Sequence, residues 1–331
     1  MSWPMYFVTN KAVTMIFAYS AQGNQFSIDR VTPDFPPAKG TIWLEATEPD
    51  SDEHHWLTTH FPGCLPEEED LGEIEISSRY FETESGIHIR SLFPHRSGHE
   101  LRNINVAFNL RPDKLITLQD EPTGLFRLMR KHLKTQHVKA ATPLDVIIAL
   151  FDAKVEYLAD TLEEVYEDLE EVSQNALSEQ YKDVDEQLRT ITLQEDLNGK
   201  VRLNLLDTQR SLRYLMRACN HMLNDEQRDS IRDMLRDIES LTPHTGFLFE
   251  KINFLMESTM GYINLEQNNI IKIFSVAAVM FLPPTLIASI YGMNFKTMPE
   301  LSVEYGYPLA LGLMLLSALA TFLFFKRKGW L

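Results

Sequence analysis

The sequence contains few of the residues on which several large classes of protein depend. Its 331 residues include two cysteines, Cys64 and Cys219, which are too few for a disulfide framework and are typical of reduced cytosolic thiols. Basic residues are also in deficit, since 31 Lys and Arg face 47 Asp and Glu and leave a formal net charge of −16. That charge repels the phosphates of nucleic acids, so a nucleic-acid partner is excluded and a cationic partner is favoured.

Motifs for enzymatic chemistry are missing as well. The chain has no glycine-rich phosphate loop, no nucleophile motif and no other catalytic constellation, so neither an enzyme nor an organic cofactor is predicted. Residues 1–19 lack the basic start and the unbroken apolar core of a secretory signal. We therefore expect the N-terminal part of the chain to remain in the cytosol.

Long apolar runs occur near the C-terminus. Residues 270–291 carry one charge, Lys272, and match the ~20 residues that a helix needs to cross ~30 Å of hydrocarbon. A second apolar run, residues 307–325, is followed by a basic tail at residues 326–331. Positive charge favours the cytoplasmic side of a membrane. We therefore predict a hairpin of two spans, with an external loop at residues 292–306 and both termini in the cytoplasm.

Residues 1–135 alternate short β-rich runs with helical ones. Periodicity and turn residues predict several strands, two of the hairpins among them, and one helix. The strands are expected at residues 13–19, 41–46, 79–83, 87–93, 105–110 and 115–119, and the helix at residues 51–60. This pattern is typical of an α/β domain, which we expect to lie in the cytosol.

From residue 142 to residue 241 the pattern changes to long acidic and basic helices. Thr142 is a suitable N-cap, and Pro143 suits the first helical position. Downstream, apolar residues recur at alternating spacings of four and three, which predicts a coiled-coil seam. The seam consists of Leu158, Leu162, Val165, Leu169 and Val172.

The other faces of this first long helix are acidic, with Lys154 as a single base. Such a charge run is usually a solvated face, and an acidic patch that concentrates divalent ions is the second interpretation. A second helix, at about residues 183–219, is basic in its latter half. We expect it to pack antiparallel to the first helix and to neutralise part of its charge.

A long stalk helix is predicted to join the cytosolic part to the first span. After a short acidic helix at residues 224–240, Thr242 suits an N-cap before Pro243. No strong breaker follows until Pro283, and a membrane helix can absorb a proline. We therefore expect one helix over residues 242–291. The predicted fold class is α+β: a cytosolic α/β domain, long coiled-coil and stalk helices, and two C-terminal transmembrane helices.

A short motif lies at the outer end of the first span. Gly292, Met293 and Asn294 follow the span directly, and Met-Pro-Glu-Leu follows at residues 298–301. With the acidic helices and the basic tail, these motifs resemble the CorA family of magnesium transporters, and closely its enterobacterial type. The likeness covers most of the chain and is weakest in the first 130 residues. A zinc-carrying relative of the same architecture has a different tripeptide at this position.

The resemblance implies a function and an assembly. It implies a homopentamer in the cell inner membrane that imports Mg²⁺, with Co²⁺ and Ni²⁺ as further cargo. It also implies that Gly292, Met293 and Asn294 form the ion selectivity filter. Neutral oxygens suit this task, because Mg²⁺ sheds its water shell reluctantly and carboxylates would trap the ion.

A stripe of polar and small residues mixed with apolar ones follows one side of the first span. Since two helices cannot enclose a channel, a conducting path needs several copies of the chain, and this stripe is the candidate lining. It consists of Asn268, Ile271, Ser275, Ala278, Leu282, Thr285 and Ser289. The resemblance adds Phe274 and assigns it, with Leu282, to apolar constrictions that gate by excluding water. The alternative is that small residues and hydroxyls mark helix packing.

Passive entry of a cation requires a mechanism that closes the channel when the cytosolic concentration is high. The hypothesis is that cytosolic Mg²⁺ acts as regulator as well as substrate and bridges Asp233, Asp237 and Glu239 between subunits. Two rivals stay open: a zinc transporter of the same fold, and a two-span membrane sensor or scaffold that conducts nothing.

Overall fold

This computed structural model describes most of the chain, with gaps mainly near the N-terminus and in connecting segments. The described residues are 16–22, 25–31, 37–38, 40–65, 79–98, 100–135, 140–177, 184–294, 298–299 and 304–330. The chain divides into two units, and the division falls inside one long helix, between Asn253 and Phe254. We call the part before this point the first unit and the part after it the second unit.

A mostly antiparallel seven-stranded sheet forms the N-terminal domain. Its strands are β1 (Ile16–Gln22), β2 (Gln25–Arg30), β3 (Thr41–Thr47), β4 (Tyr80–Thr83), β5 (Gly86–Ser97), β6 (Glu100–Leu110) and β7 (Leu115–Gln119). They lie in the order β2-β1-β3-β7-β6-β5-β4. β3 and β7 pair in parallel, and the other described neighbours are antiparallel. Both predicted hairpins are confirmed.

The helices account for most of the rest of the described chain. They are α1 (Ser51–His60), α2 (Gly124–Lys134), α3 (Pro143–Leu177), α4 (Val184–Ala218), α5 (Asp225–Tyr291) and α6 (Gly306–Arg327). The predicted cap of α3 is present, because the Asp145 amide donates to Thr142 Oγ1 at 3.2 Å and the Thr142 amide donates to Asp145 Oδ2 at 2.8 Å. The predicted α+β class is confirmed.

Four phenylalanines form the centre of the domain core. Phe93 of β5 lies 5.6 Å from Phe108 of β6, 5.7 Å from Phe126 of α2 and 5.9 Å from Phe151 of α3, measured between ring centroids. All four rings are buried. Aromatic pairs at this spacing stabilise a core beyond the area that they bury, so this cluster holds α2 and α3 against one face of the sheet.

The first two long helices form an antiparallel hairpin. Gln194 of α4 donates to Asp168 of α3 at 2.6 Å, and nearer the start of α3, Lys154 lies 3.8 Å from Asp207 of α4. The buried seam of α3 contains the five residues that were predicted for it: Leu158, Leu162, Val165, Leu169 and Val172. The spacing of apolar residues therefore predicted the packing face of α3 correctly.

The long helix α5 begins earlier than predicted. It runs for 67 residues from Asp225, and Asn224 caps it by accepting a hydrogen bond from the Gln227 amide at 2.8 Å. Thr242 is not a cap, because it lies within the helix and its hydroxyl donates to the Ile238 carbonyl at 2.7 Å. The boundary predicted at residue 242 is wrong because buried residues keep the same helical phase on both sides of Pro243. They are Ile231, Met234, Ile238, Thr245, Leu248 and Ile252.

Lys154 does not lie on the acidic face where the sequence placed it. Its side chain is fully buried, and its ammonium donates to Ser91 Oγ at 3.0 Å and lies over the ring of Phe93. The acidic face of α3 is paired instead by Arg96 of β5, which contacts Glu164, and by Lys251 of α5. Among the described residues, no ion pair joins a base of α4 to a carboxylate of α3. The predicted antiparallel packing is confirmed, and neutralisation by α4 stays a prediction.

Candidate functional site

Two helices are long and apolar enough to cross a membrane. The apolar stretches of α5 and α6 are almost wholly uncovered, since 6% of each is buried within the chain. Phe274 and Leu282 of α5 are 72% and 65% exposed. Exposed apolar surface of this extent marks contact with lipid or with another protein.

The predicted pore-lining residues share one exposed side of α5. All of them are exposed: Asn268, Ile271, Phe274, Ser275, Ala278, Leu282, Thr285 and Ser289. At ~100° per residue they lie within an arc of about 120°. Val276, which is buried, lies outside this arc. The stripe therefore forms an exposed surface that the second unit leaves uncovered.

The polar and proline residues of the span are accommodated within the helix. The Thr285 hydroxyl donates to the Phe281 carbonyl at 2.7 Å, so this hydroxyl has an acceptor on its own helix. Helix α5 also continues through Pro283 and Pro284. A proline removes one backbone donor and frees a carbonyl one turn earlier, here at Val279 and Met280.

The Gly-Met-Asn tripeptide lies where α5 ends. The Gly292 amide still donates to the Ala288 carbonyl at 2.9 Å, and the Met293 amide donates to Ile290 at 3.3 Å. A Cβ on residue 292 would lie 3.1 Å from the Ala288 oxygen. The close approach of the Ala288 carbonyl therefore favours glycine at this position. Asn294 follows with its side chain exposed.

The segments around the second span are partly described. Met298 and Pro299 belong to the described residues, whereas residues 295–297 and 300–303, with the second half of the Met-Pro-Glu-Leu motif, lie outside them. Helix α6 ends in Lys326 and Arg327, and Trp330 packs on Phe325 with 5.6 Å between ring centroids. Aromatic and basic residues at the end of a span are typical of a membrane interface.

The candidate regulatory carboxylates have different surroundings in the first unit. Asp233 pairs with Arg236 at 2.6 Å, and Glu239 pairs with Arg213 at 3.5 Å. All four side chains are more than half exposed, so each pair contributes little to stability. Both candidate carboxylates therefore have a competing partner within the chain.

Asp237 is close to other acids. Partial burial, and then the charges of Glu156 and Asp237, raise the pKa of Asp152, although this side chain still reaches solvent. The sequence did not predict this cluster, because Asp152 and Asp237 are far apart in the chain and both looked like members of solvated faces. Over the described ranges, no group of three or more His, Cys, Asp or Glu side chains is arranged to hold a metal within one chain.

Comparison with known proteins places the chain in a family. Residues 38–327 match the family described as CorA-like Mg²⁺ transporter protein. The magnesium transport protein CorA of Haemophilus influenzae Rd is 45% identical over 310 residues, which are 93% of this chain and 98% of that protein. The protein of the same name from Escherichia coli K12 is 42% identical over 96% of this chain and all of that one.

A solved structure supports the same fold. The complete CorA magnesium transporter of Methanocaldococcus jannaschii has a TM-score of 0.72 at 18% identity, over 96% of this chain and 99% of that one. With two apolar C-terminal helices, the chain is a membrane protein. The chain belongs to the family of CorA-like Mg²⁺ transporter proteins.

Proposed function

We propose that this chain is a channel that carries hydrated Mg²⁺ across the cell inner membrane, without enzymatic chemistry. Co²⁺ and Ni²⁺ are further cargo, because hexahydrates of similar size present the same water shell. The observation that carries the proposal is the pairing of Gly292, Met293 and Asn294 with an exposed apolar helix, in a chain 45% identical over 310 residues to a magnesium transport protein.

A conducting path requires several copies of the chain around an axis, and we assign a pentamer. The exposed stripe on α5, from Asn268 to Ser289, lines the path, while the more uniformly apolar α6 faces lipid. Phe274 and Leu282 narrow the path with apolar rings, which block ions by excluding water. The basic tail holds both termini on the cytoplasmic side.

The filter recognises the ion through its water shell. Mg²⁺ binds water tightly in octahedral geometry and gives it up reluctantly. A ring of Asn294 side-chain oxygens accepts hydrogen bonds from these waters without adding negative charge that would hold the ion. Gly292 lets the chain pass close to the Ala288 carbonyl, and Met293 packs behind the ring.

The membrane potential drives entry. A divalent ion that moves inward gains about 4.6 kcal/mol per ~100 mV, which is twice the value for a single charge. Between Ile273 and Tyr291 the first span has no charged residue that could couple transport to protons. Cytosolic Mg²⁺ limits entry by bridging Asp233, Asp237 and Glu239 between subunits, in competition with the partners of Asp233 and Glu239 within each chain. When Mg²⁺ falls, carboxylates that face one another repel.

Ion flux into vesicles tests the proposal. Purified full-length protein is reconstituted in liposomes with an imposed inside-negative potential, and Mg²⁺ entry is followed with an internal dye. Uptake should depend on the potential and should fall when Mg²⁺ is also present inside. A protein that forms no oligomer, or an oligomer that passes no divalent ion, would contradict the proposal and favour the sensor or scaffold.

Competition separates magnesium from zinc. In the same vesicles, external Mg²⁺ should suppress the entry of Co²⁺ and Ni²⁺, and Zn²⁺ should be a weak competitor. If external Zn²⁺ suppresses the entry of Co²⁺ more strongly than external Mg²⁺ does at the same concentration, the chain is the zinc transporter of the same fold.

A further inference from the structure

A half-open apolar groove lies in the first unit between α3 and α5. Its volume is about 690 Å³. The apolar lining includes Leu162 and Tyr166 of α3 and Leu241, Phe247 and Leu248 of α5. Tyr166 is 48% exposed and Phe247 is 53% exposed. Two large aromatic side chains that the first unit leaves uncovered in one groove indicate a binding surface.

The groove is acidic at its α3 side. Glu163 and Glu167 also line it, and both are exposed. The nearby base Lys251 pairs with Glu170 at 2.9 Å and lies over the ring of Tyr166. Among the described residues, neither Glu163 nor Glu167 has an ion pair. The surface therefore favours an apolar segment that carries positive charge.

The chain itself presents such a segment on α4. Along residues 202–217, four arginines and two leucines are all exposed and fall within an arc of about 100° at ~100° per residue. They are Arg202, Leu203, Leu206, Arg210, Arg213 and Arg217. Leu203 and Leu206 are 54% and 37% exposed and lie about one helical turn apart. Since the groove extends over about two turns of α3, it can accept both leucines.

We propose that the groove of one chain receives the arginine and leucine stripe of α4 from a second copy of this chain. The contact is head to tail, because the two complementary surfaces are different parts of the same protomer. Such a contact closes into a ring when the rotation between copies allows it. The proposal rests on the oligomer of the proposed function and names surfaces that hold its subunits together.

Cysteine cross-linking of the full-length protein in membranes tests this contact. Phe247→Cys marks the groove and Leu206→Cys marks the stripe, while the native Cys64 and Cys219 are buried. A short bifunctional maleimide should convert the double variant into a ladder of covalent species up to the full ring. A mixture of the two single variants should yield covalent dimers and nothing larger, because each chain then carries one reactive site.

Several outcomes would overturn the contact. One is cross-linking of Phe247→Cys to itself, which indicates a symmetric interface. Another is an equal ladder from the control pair Phe247→Cys with Leu128→Cys, whose exposed leucine lies on α2. Absence of the ladder in material that is oligomeric and conducts Mg²⁺ rejects the contact and leaves the proposed function standing. Monomeric material contradicts both.

A charge exchange provides a second test that does not depend on cysteine chemistry. Replacement of both Glu163 and Glu167 by Arg, or of both Arg202 and Arg210 by Glu, should raise the dissociation constant of the oligomer at least roughly tenfold, because like charges then meet. The combined variant should recover most of the loss. Mass photometry over a dilution series measures this, and failure of the combined variant to recover, with both parent variants folded, contradicts the contact.

Discussion

The first unit and the two membrane-type helices differ in how far their apolar side chains are exposed. In the first unit Phe93 and Phe126 are fully buried among partners from the same chain. In the second unit Phe274 and Leu282 are 72% and 65% exposed. The first unit therefore supplies its own core, whereas the apolar surface of the spans needs lipid or protein from outside the chain to cover it.

The first unit and the first span also differ in whether they contain charged residues away from water. The first unit buries Lys154 and Asp207, because each has partners: Asp207 accepts hydrogen bonds from Ser91 Oγ at 2.6 Å, from the Leu92 amide at 2.8 Å and from Arg79 at 3.0 Å. The first span has one charged residue, Lys272 near its start, and residues 273–291 have none. A buried charge is tolerated where partners are fixed by the fold, and it is costly in hydrocarbon.

Truncation of the aromatic core should show the largest effect on stability. Phe93→Ala removes the ring that contacts three other phenylalanines, so it should lower the free energy of unfolding of the first unit by about 3–5 kcal/mol. Leu128→Ala, at an exposed position on α2, should stay within about 0.5 kcal/mol. Denaturant unfolding followed by near-UV circular dichroism measures both, and equal effects would show that the aromatic cluster is not the core.

Replacement of Asn294, the residue proposed for the filter, should give the largest effect on transport. Asn294→Ala should reduce potential-driven Mg²⁺ entry at least about tenfold, since a hydrogen bond to a charged group contributes about 1.5–3 kcal/mol. Asn269→Ala is the matched control, because Asn269 is exposed on the same helix outside the stripe. Similar flux in both variants would show that Asn294 is not part of the filter.

The buried lysine should make stability depend on pH. Burial lowers the pKa of Lys154 to about 7, against the opposing attraction of Asp207. The unfolded chain keeps the ordinary pKa near ~10.5, so between these values it binds more protons than the folded chain and stability rises with pH. We expect a gain of about 2 kcal/mol between pH ~7 and ~9.

Substitution of the lysine tests that pH dependence. Lys154→Met should flatten the rise, because no buried ammonium remains to lose its proton. Lys200→Met, at a partly exposed position on α4, should retain it. The measurement is thermal unfolding in detergent at several pH values, and an unchanged slope in Lys154→Met would mean that another group titrates.

The smallest effect is expected at the acidic cluster. Because burial, and then the neighbouring carboxylates, raise the pKa of Asp152, the folded chain binds extra protons above the ordinary pKa, and stability falls as pH rises through the raised value. Asp237→Asn should therefore stabilise the chain at neutral pH by less than about 1 kcal/mol, because exposed charges are screened. It should also weaken the inhibition of flux by internal Mg²⁺.

A matched variant shows whether that effect is specific. Asp229→Asn removes an exposed carboxylate of the same helix that pairs with Arg232 at 3.0 Å. It should leave inhibition by internal Mg²⁺ unchanged. If both variants lose inhibition equally, the inhibition of flux by internal Mg²⁺ depends on total charge and not on the cluster of Asp152 and Asp237.

Much of the fold could be predicted from local patterns. The seam of α3 from Leu158 to Val172, helix α1 and both hairpins follow from spacing, caps and turn residues, which act within a few positions. Helix α2 was not predicted, although Thr123 caps it and Leu125, Phe126 and Met129 form its buried face. Strand β2 was also missed, although Phe26 and Ile28 alternate with polar residues along it.

By itself, the sequence determined the two apolar helices, the tripeptide at the end of the first and the packing face of α3, because each depends on composition or on periodicity over a short stretch. Tertiary structure decided the burial of Lys154, the passage of α5 through Pro243 and the groove between α3 and α5. The physical reason is distance along the chain: the partners that hold Lys154 are Ser91 and Asp207, 63 residues before it and more than 50 after it, and only folding brings them together.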